Sequence, residues 1–73
     1  MNVYLHPNID GEYKEMVAAK TQKEACRLMA CSERDFRKFG GRKLDPDSDD
    51  FKLAMSRPGK CFHCHLSGDR PWQ

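Results

Sequence analysis

The chain has 73 residues, a length at which a single domain buries only about 60% of its unfolded surface and has little room for a deep active site. Its formal net charge is only +2 although 33% of its residues are charged, so attraction to nucleic acid would need a local basic patch. No apolar run approaches membrane-spanning length, and the first residues lack the pattern of a secretory signal. We therefore expect no export, no membrane partner, and cysteines that stay reduced.

A β-hairpin is predicted at the start of the chain. Val3 and Leu5 alternate with polar or aromatic neighbours, and the turn-forming stretch 7–11 separates them from a second stretch with apolar residues at 13–17. The two stretches are expected to pair as antiparallel strands.

Two short helices should follow the hairpin. Thr21 and Glu24 have the spacing of a capping box, in which each side chain satisfies a backbone amide at a helix start. The first helix should then run to about Ala30. Ser32 offers a second cap, and the glycines at 40–41 should end the second helix.

A third helix and a last strand are predicted in the second half of the chain. The acidic stretch 45–50 favours the start of a helix, which the proline and glycine at 58–59 should end. The stretch 60–66 is short and bounded by turn residues, as is typical of a strand.

Together these elements predict an α+β fold, with a small antiparallel β-sheet, a helix-turn-helix-like pair and a third short helix. Residues 1–66 should form a single compact domain and 67–73 a flexible C-terminal tail. One shared core is expected, formed chiefly by Leu5, Val17, Leu28, Phe36, Phe39, Phe51, Met55 and Phe62.

The stretch 22–32 resembles the first helix and turn of helix-turn-helix proteins. The pattern of that family is matched by Ala25, Ala30, Cys31 and Ser32, although glycine is usual at the position of Ala30. In the family, the second helix enters the DNA major groove. Here it would present Glu33, Arg34, Arg37 and Lys38. Acidic residues at the start of this helix weaken a DNA-reading role, so compact helix packing without DNA is the alternative.

A zinc site is the main question raised by the cysteines. Cys61 and Cys64 have the C-x-x-C spacing with which two thiolates can hold one zinc ion. Further ligands would come from Cys26, Cys31, His63 and His65. Strand alternation would place Cys61 and Cys64 on opposite faces, and the other two cysteines also suit apolar core positions. We therefore expect no cofactor, with a structural zinc as the alternative.

The candidate partner-binding residues are basic and aromatic. They are Tyr4, His6, Arg34, Arg37, Lys38, Arg42, Lys43 and Trp72. The basic run suits an acidic protein patch or phosphates, although the acidic stretch 45–50 nearby favours a solvated, mutually screened surface as the alternative. Trp72 suits an interface anchor, or else it folds back over a thin core. No residue pair has the spacing of a nucleophile or an acid-base couple, so we expect no enzyme activity.

Several short stretches of the chain are similar in sequence to one group of proteins. They are 17–25 leading into Cys31 and Ser32, then 36–40, and Ala54 ahead of Pro58 and Gly59. On these stretches the chain resembles, over about residues 13–62, the very small transcription regulators of phages such as those that infect Xanthomonas.

That resemblance implies a monomer that binds RNA polymerase in the cytoplasm of the bacterial host, near the β′ subunit. It further implies inhibition of σ-dependent initiation by loss of the σ factor, and antitermination. Contact with nearby RNA or DNA stays open, as do two alternative functions. One is a dimeric helix-turn-helix repressor that binds DNA, and the other is a zinc-stapled adaptor.

Overall fold

The computed structural model describes residues 1–8, 12–66 and 71–73. In chain order the elements are β1 (Asn2–Asn8), β2 (Tyr13–Ala19), α1 (Gln22–Leu28), α2 (Glu33–Lys38), β3 (Arg42–Lys43), α3 (Asp49–Met55) and β4 (Phe62–His65). The strands form one antiparallel sheet in the order β3-β1-β2-β4, which confirms the predicted α+β class. The short strand β3 was not expected from the sequence.

Each helix begins at a side-chain cap. Thr21, Ser32 and Ser48 accept hydrogen bonds from the backbone N–H three residues later, at 3.1, 3.0 and 3.1 Å. These bonds satisfy amides that the first turn of a helix leaves without a partner. The predicted caps of the first two helices are confirmed, and α1 ends at Leu28, slightly ahead of the expected Ala30.

The sheet divides the core into two clusters of side chains. The face under α3 contains Val3, Leu5, Met16, Ala18, Leu44, Ala54 and Phe62. The face under α1 and α2 contains Tyr4, Val17, Ala19, Ala25, Cys26, Met29 and Phe36. Side chains alternate along each strand, so helices on both sides of the sheet bury both faces of its central strands. The expectation of one shared core is therefore wrong.

The residues expected in the core fall into two groups. Leu5, Val17, Phe36 and Phe62 are buried. Leu28, Phe39, Phe51 and Met55 are only half-buried. The second group lies on helices or at a helix cap, and a helix packed on one side of a sheet keeps part of its surface in water.

Residues 71–73 lie along β4. The backbone N–H of Gln73 donates to the carbonyl of His63 at 2.9 Å, and the N–H of His63 donates back at 3.0 Å. Trp72 packs against the cluster under α3, and its indole N–H donates to Asp50 Oδ1 at 2.9 Å. The prediction of a flexible tail over 67–73 is therefore wrong for 71–73, while 67–70 lie outside the described residues.

Candidate functional site

A tight turn joins α1 to α2. The N–H of Cys31 donates to the carbonyl of Cys26 at 2.9 Å, and the N–H of Ala30 donates to that of Arg27 at 3.2 Å. Ala30 has a φ of 56°, in the left-handed region. This is a Schellman motif, whose left-handed position usually has glycine. The alanine that replaces the usual glycine thus adopts the conformation that glycine would favour.

A second Schellman motif ends α2. Gly40 has a φ of 82°, and the N–H of Gly41 donates to the carbonyl of Phe36 at 2.6 Å. A Cβ atom on Gly41 would come within 2.5 Å of the Phe36 ring, so only glycine fits where the chain crosses that ring. One motif thus lies just before α2 and the other just after it.

The helix α2 covers β1. The Phe36 ring stacks on His6 with ring centroids 5.9 Å apart and meets the Tyr4 ring edge-on at 6.3 Å. Tyr4 and His6 are consequently only 3% and 4% exposed. Both were predicted to contact a partner, and their burial under α2 removes them from the accessible surface. The Nδ1 atom of His6 has no hydrogen-bond partner among the described residues.

The side of α2 that faces away from Phe36 is mainly basic, although the exposed Asp35 also lies there. Because an α-helix has 3.6 residues per turn, Arg34, Arg37 and Lys38 fall on that side, and all three are exposed. The Lys38 Nζ atom lies 5.4 Å from the centre of the Phe39 ring. Within residues 1–8, 12–66 and 71–73, none of these three cations makes an ion pair.

The strand β3 brings two further cations beside α2. Lys43 pairs with Tyr4 and Arg42 with Leu5, and paired residues point to the same face of a sheet. Lys43 therefore lies on the α2 side and Arg42 on the α3 side, both exposed. We call the cations on the α2 side the basic surface. It consists of Arg34, Arg37, Lys38 and Lys43.

The acidic stretch 45–50 is engaged elsewhere. Asp45 Oδ1 accepts a hydrogen bond from the N–H of Asp47 at 2.8 Å. Asp49 and Asp50 occupy the first turn of α3, on the opposite side of the sheet from α2. In the described part of the chain no ion pair joins this stretch to the basic run. No direct contact therefore supports the alternative in which the acidic stretch and the basic run screen each other.

The C-x-x-C pair is split by the sheet. Cys64 pairs with Lys14 and shares its face with Phe62, whereas Cys61 packs against the cluster under α1, as strand alternation predicts. Burial, with a smaller contribution from the nearby carboxylate of Glu15, raises the pKa of the Cys61 thiol to about 11. Among the described residues, no three His, Cys, Asp or Glu side chains lie close enough to hold a metal ion.

A row of three titratable residues crosses the sheet beside α2. Glu15 in β2 pairs with His6 in β1 and with His63 in β4. Burial raises the pKa of Glu15, and the two histidines partly offset that rise. The row was not predicted from the sequence, although counting the hairpin register outward from its turn would have placed His6 beside Glu15.

Comparison with known protein families, curated proteins and solved structures found no significant match to this chain. In the described part of the chain, no helix combines the length and the apolar character needed to cross a membrane. Function therefore has to be inferred from the chain's own residues and geometry.

Proposed function

We propose that this chain is a noncatalytic transcription regulator that docks on bacterial RNA polymerase through its basic surface. The observation that supports the proposal is the placement of four cations, Arg34, Arg37, Lys38 and Lys43, on one side of the sheet without an ion pair among the described residues. Unpaired cations on one surface favour an acidic partner and speed encounter with it. The resemblance of several stretches to small phage transcription regulators suggests that this acidic partner is RNA polymerase.

The proposed effects follow the same resemblance. The chain would act as a monomer in the cytoplasm of the host, bind near the β′ subunit, inhibit σ-dependent initiation and promote antitermination. Docking on a protein surface is favoured because the backbone of α2 is held rigidly. The Phe36 side chain anchors α2 to the sheet, Ser32 caps the start of the helix and a Schellman motif ends it, so little backbone freedom is lost when its cations are bound.

Charge placement on α2 favours an acidic protein surface over base reading in DNA. A helix-turn-helix protein contacts base edges with the start of its second helix, where Glu33 and Asp35 stand here. The backbone N–H of Asp35 is also occupied by the Ser32 hydroxyl, at 3.0 Å. Carboxylates at this end repel phosphates, whereas the cations continue toward the other end of the helix.

A matched pair of charge variants tests the docking surface. The first variant replaces Arg34, Arg37, Lys38 and Lys43 with alanine. The control replaces Lys20, Lys23, Lys52 and Arg57, which are also exposed cations but lie outside the basic surface. Both variants lose the same charge, so a difference between them reports position. The assay is binding of the labelled chain to purified polymerase core after nuclease treatment, followed over a salt series.

We expect the first variant to bind about 10- to 100-fold more weakly and the control to stay within about threefold of the wild-type chain. Wild-type binding should weaken with salt, because the contact is electrostatic. Equal loss in both variants, or no binding of the wild-type chain to polymerase once nucleic acid is removed, would contradict the proposal.

A DNA-binding repressor is the second candidate, since a tight turn with the left-handed residue Ala30 joins α1 to α2, and the two helices of a helix-turn-helix are likewise joined by a short turn. It requires sequence-selective binding to duplex DNA and a dimer that spaces two copies of α2 by about one DNA turn. Gel shifts with random and selected duplexes, alongside the mass of the chain in solution, distinguish it from the polymerase proposal.

A further inference from the structure

Two of the four cysteines meet in the turn between α1 and α2. Cys26 and Cys31 occupy the two positions of the Schellman motif whose side chains commonly touch, and their backbones are joined by the 2.9 Å hydrogen bond described above. Both side chains belong to the cluster under α1, in which Cys26 is a buried member and Cys31 packs against it. Cys26 is 2% exposed, and Cys31 is half-buried at the edge of the same cluster.

The other two cysteines have no such geometry. Cys61 directly precedes β4 and packs against the cluster under α1, whereas Cys64 lies in β4 on the face of Phe62, so their side chains point to opposite sides of the sheet. Two cysteines whose Cβ vectors point apart cannot form a disulfide without backbone movement. The pair with the familiar spacing is therefore separated, and the pair with the longer spacing is in contact.

We propose that Cys26 and Cys31 form a thiol–disulfide exchange site, which a small-molecule disulfide such as oxidised glutathione converts to an intramolecular disulfide. Cys31 is the more exposed thiol, so its thiolate attacks the reagent first, forming a mixed disulfide and releasing one reagent thiolate. The Cys26 thiolate then attacks the Cys31 sulfur and releases the second. The two protons lost by the protein go to the two reagent thiolates, and the reagent gains the two electrons that the protein loses.

The surroundings of the pair make this exchange slow at neutral pH. Burial, together with smaller contributions from the neighbouring Cys26, Glu15 and Asp35, raises the pKa of Cys31 to about 12. Burial also raises the pKa of Cys26. Since the thiolate is the nucleophile, the oxidation rate should rise by about tenfold per pH unit below that pKa.

The bond would close a small ring across the turn and hold the end of α1 to the start of α2. Such a cross-link removes freedom from the unfolded chain, so the oxidised protein should melt at a higher temperature than the reduced one. This consequence is independent of the proposed polymerase contact, because it concerns the fold of the turn and not any partner.

Tryptic mapping of the full-length chain tests the site. Trypsin cleaves after Arg27, which lies between Cys26 and Cys31, so their disulfide would link two peptides. No trypsin site separates Cys61 from Cys64, so their disulfide would stay within one peptide. The reduced chain is incubated with oxidised glutathione at about pH 8.5, its remaining thiols are alkylated, and the digest is analysed by mass spectrometry.

We expect the linked peptides 24–27 and 28–34, with alkylated Cys61 and Cys64, in a monomeric chain. The double variant Cys61→Ser, Cys64→Ser should give the same linkage, and Cys31→Ser should abolish it. A Cys61–Cys64 bond or a disulfide-linked dimer as the main product would overturn the proposal. So would four alkylated cysteines in the folded chain under conditions in which the urea-unfolded chain oxidises.

Discussion

At the scale of single residues, the turn between α1 and α2 contains a backbone conformation that its residue does not favour. Ala30 has a φ of 56°, whereas Gly40 has a φ of 82° at the equivalent position after α2. A left-handed conformation costs a non-glycine residue about 1–2 kcal/mol, and the greater freedom of glycine in the unfolded chain offsets about 0.5–1 kcal/mol of that. Ala30→Gly should therefore raise the free energy of unfolding by up to about 1 kcal/mol, measured by urea denaturation.

The reverse change at Gly40 is the matched control for this prediction. A Cβ atom there would meet no other atom within 4 Å, so Gly40→Ala introduces the backbone penalty without a steric clash. We expect it to lower the free energy of unfolding by about 1 kcal/mol. If Ala30→Gly destabilised the chain while Gly40→Ala left it unchanged, the left-handed conformations would not control the stability of these turns.

At the scale of elements, the row formed by His6, Glu15 and His63 makes stability depend on pH. Burial raises the pKa of Glu15 above its ordinary value of 4.5, so the folded chain holds this proton more tightly than the unfolded chain does. The stabilisation from protonated Glu15 is complete below the unfolded pKa and is lost as the pH rises through the folded pKa. Glu15→Gln should remove this loss.

The measurement is the free energy of unfolding of wild-type and Glu15→Gln chains across a pH series. The advantage of the variant should grow as the pH rises from about 4 to about 7. Glu12→Gln is the control, because the Glu12 side chain is 76% exposed and its carboxylate lies 3.7 Å from the His65 ring nitrogen Nε2. Parallel curves for wild-type and Glu15→Gln chains would show that burial of Glu15 does not set this pH dependence.

Which elements could be predicted from the sequence depends on how local their signals are. The caps at Thr21 and Ser32 act on amides three residues away, so their positions were readable and are confirmed. The alternation of Cys61 and Cys64 is equally local, because it depends only on the two-residue period of a strand.

Contacts between distant segments account for what the sequence did not reveal. Arg42 and Lys43 have little preference for a strand, and they form β3 because the edge of β1 offers them backbone partners. His6 is polar and was placed at the surface, yet it is buried because α2 packs over β1. The contact between Cys26 and Cys31 likewise required the left-handed turn, which an alanine does not signal.

At the scale of the whole molecule, the two sides of the sheet present different side chains to solvent. The basic surface lies on the α2 side, whereas Trp72 packs on the α3 side against the cluster that includes Leu5 and Phe62. A partner on the basic surface would therefore leave Trp72 uncovered. Trp72 should act on stability and leave polymerase binding unchanged, as expected for the alternative in which it folds back over the core.

Trp72→Ala tests this division. It removes the half-buried indole, the N–H donated to Asp50 and the position of the ring beneath Lys14 Nζ, which lies 5.2 Å from its centre. We expect it to lower the free energy of unfolding by about 2 kcal/mol, below the range for fully buried tryptophan. Trp72→Phe keeps a ring on the cluster and loses the hydrogen bond, so its cost should be about 1 kcal/mol.

Urea denaturation gives both stability values, and polymerase binding is measured under conditions where each variant is folded. Because the sheet separates Trp72 from the basic surface, the affinities of the folded variants should match that of the wild-type chain. An anchor would show the opposite pattern, with unchanged stability and weaker binding in Trp72→Ala. That outcome would mean that Trp72 contacts the partner, either through the exposed part of its half-buried indole or after release from Asp50 and the core cluster.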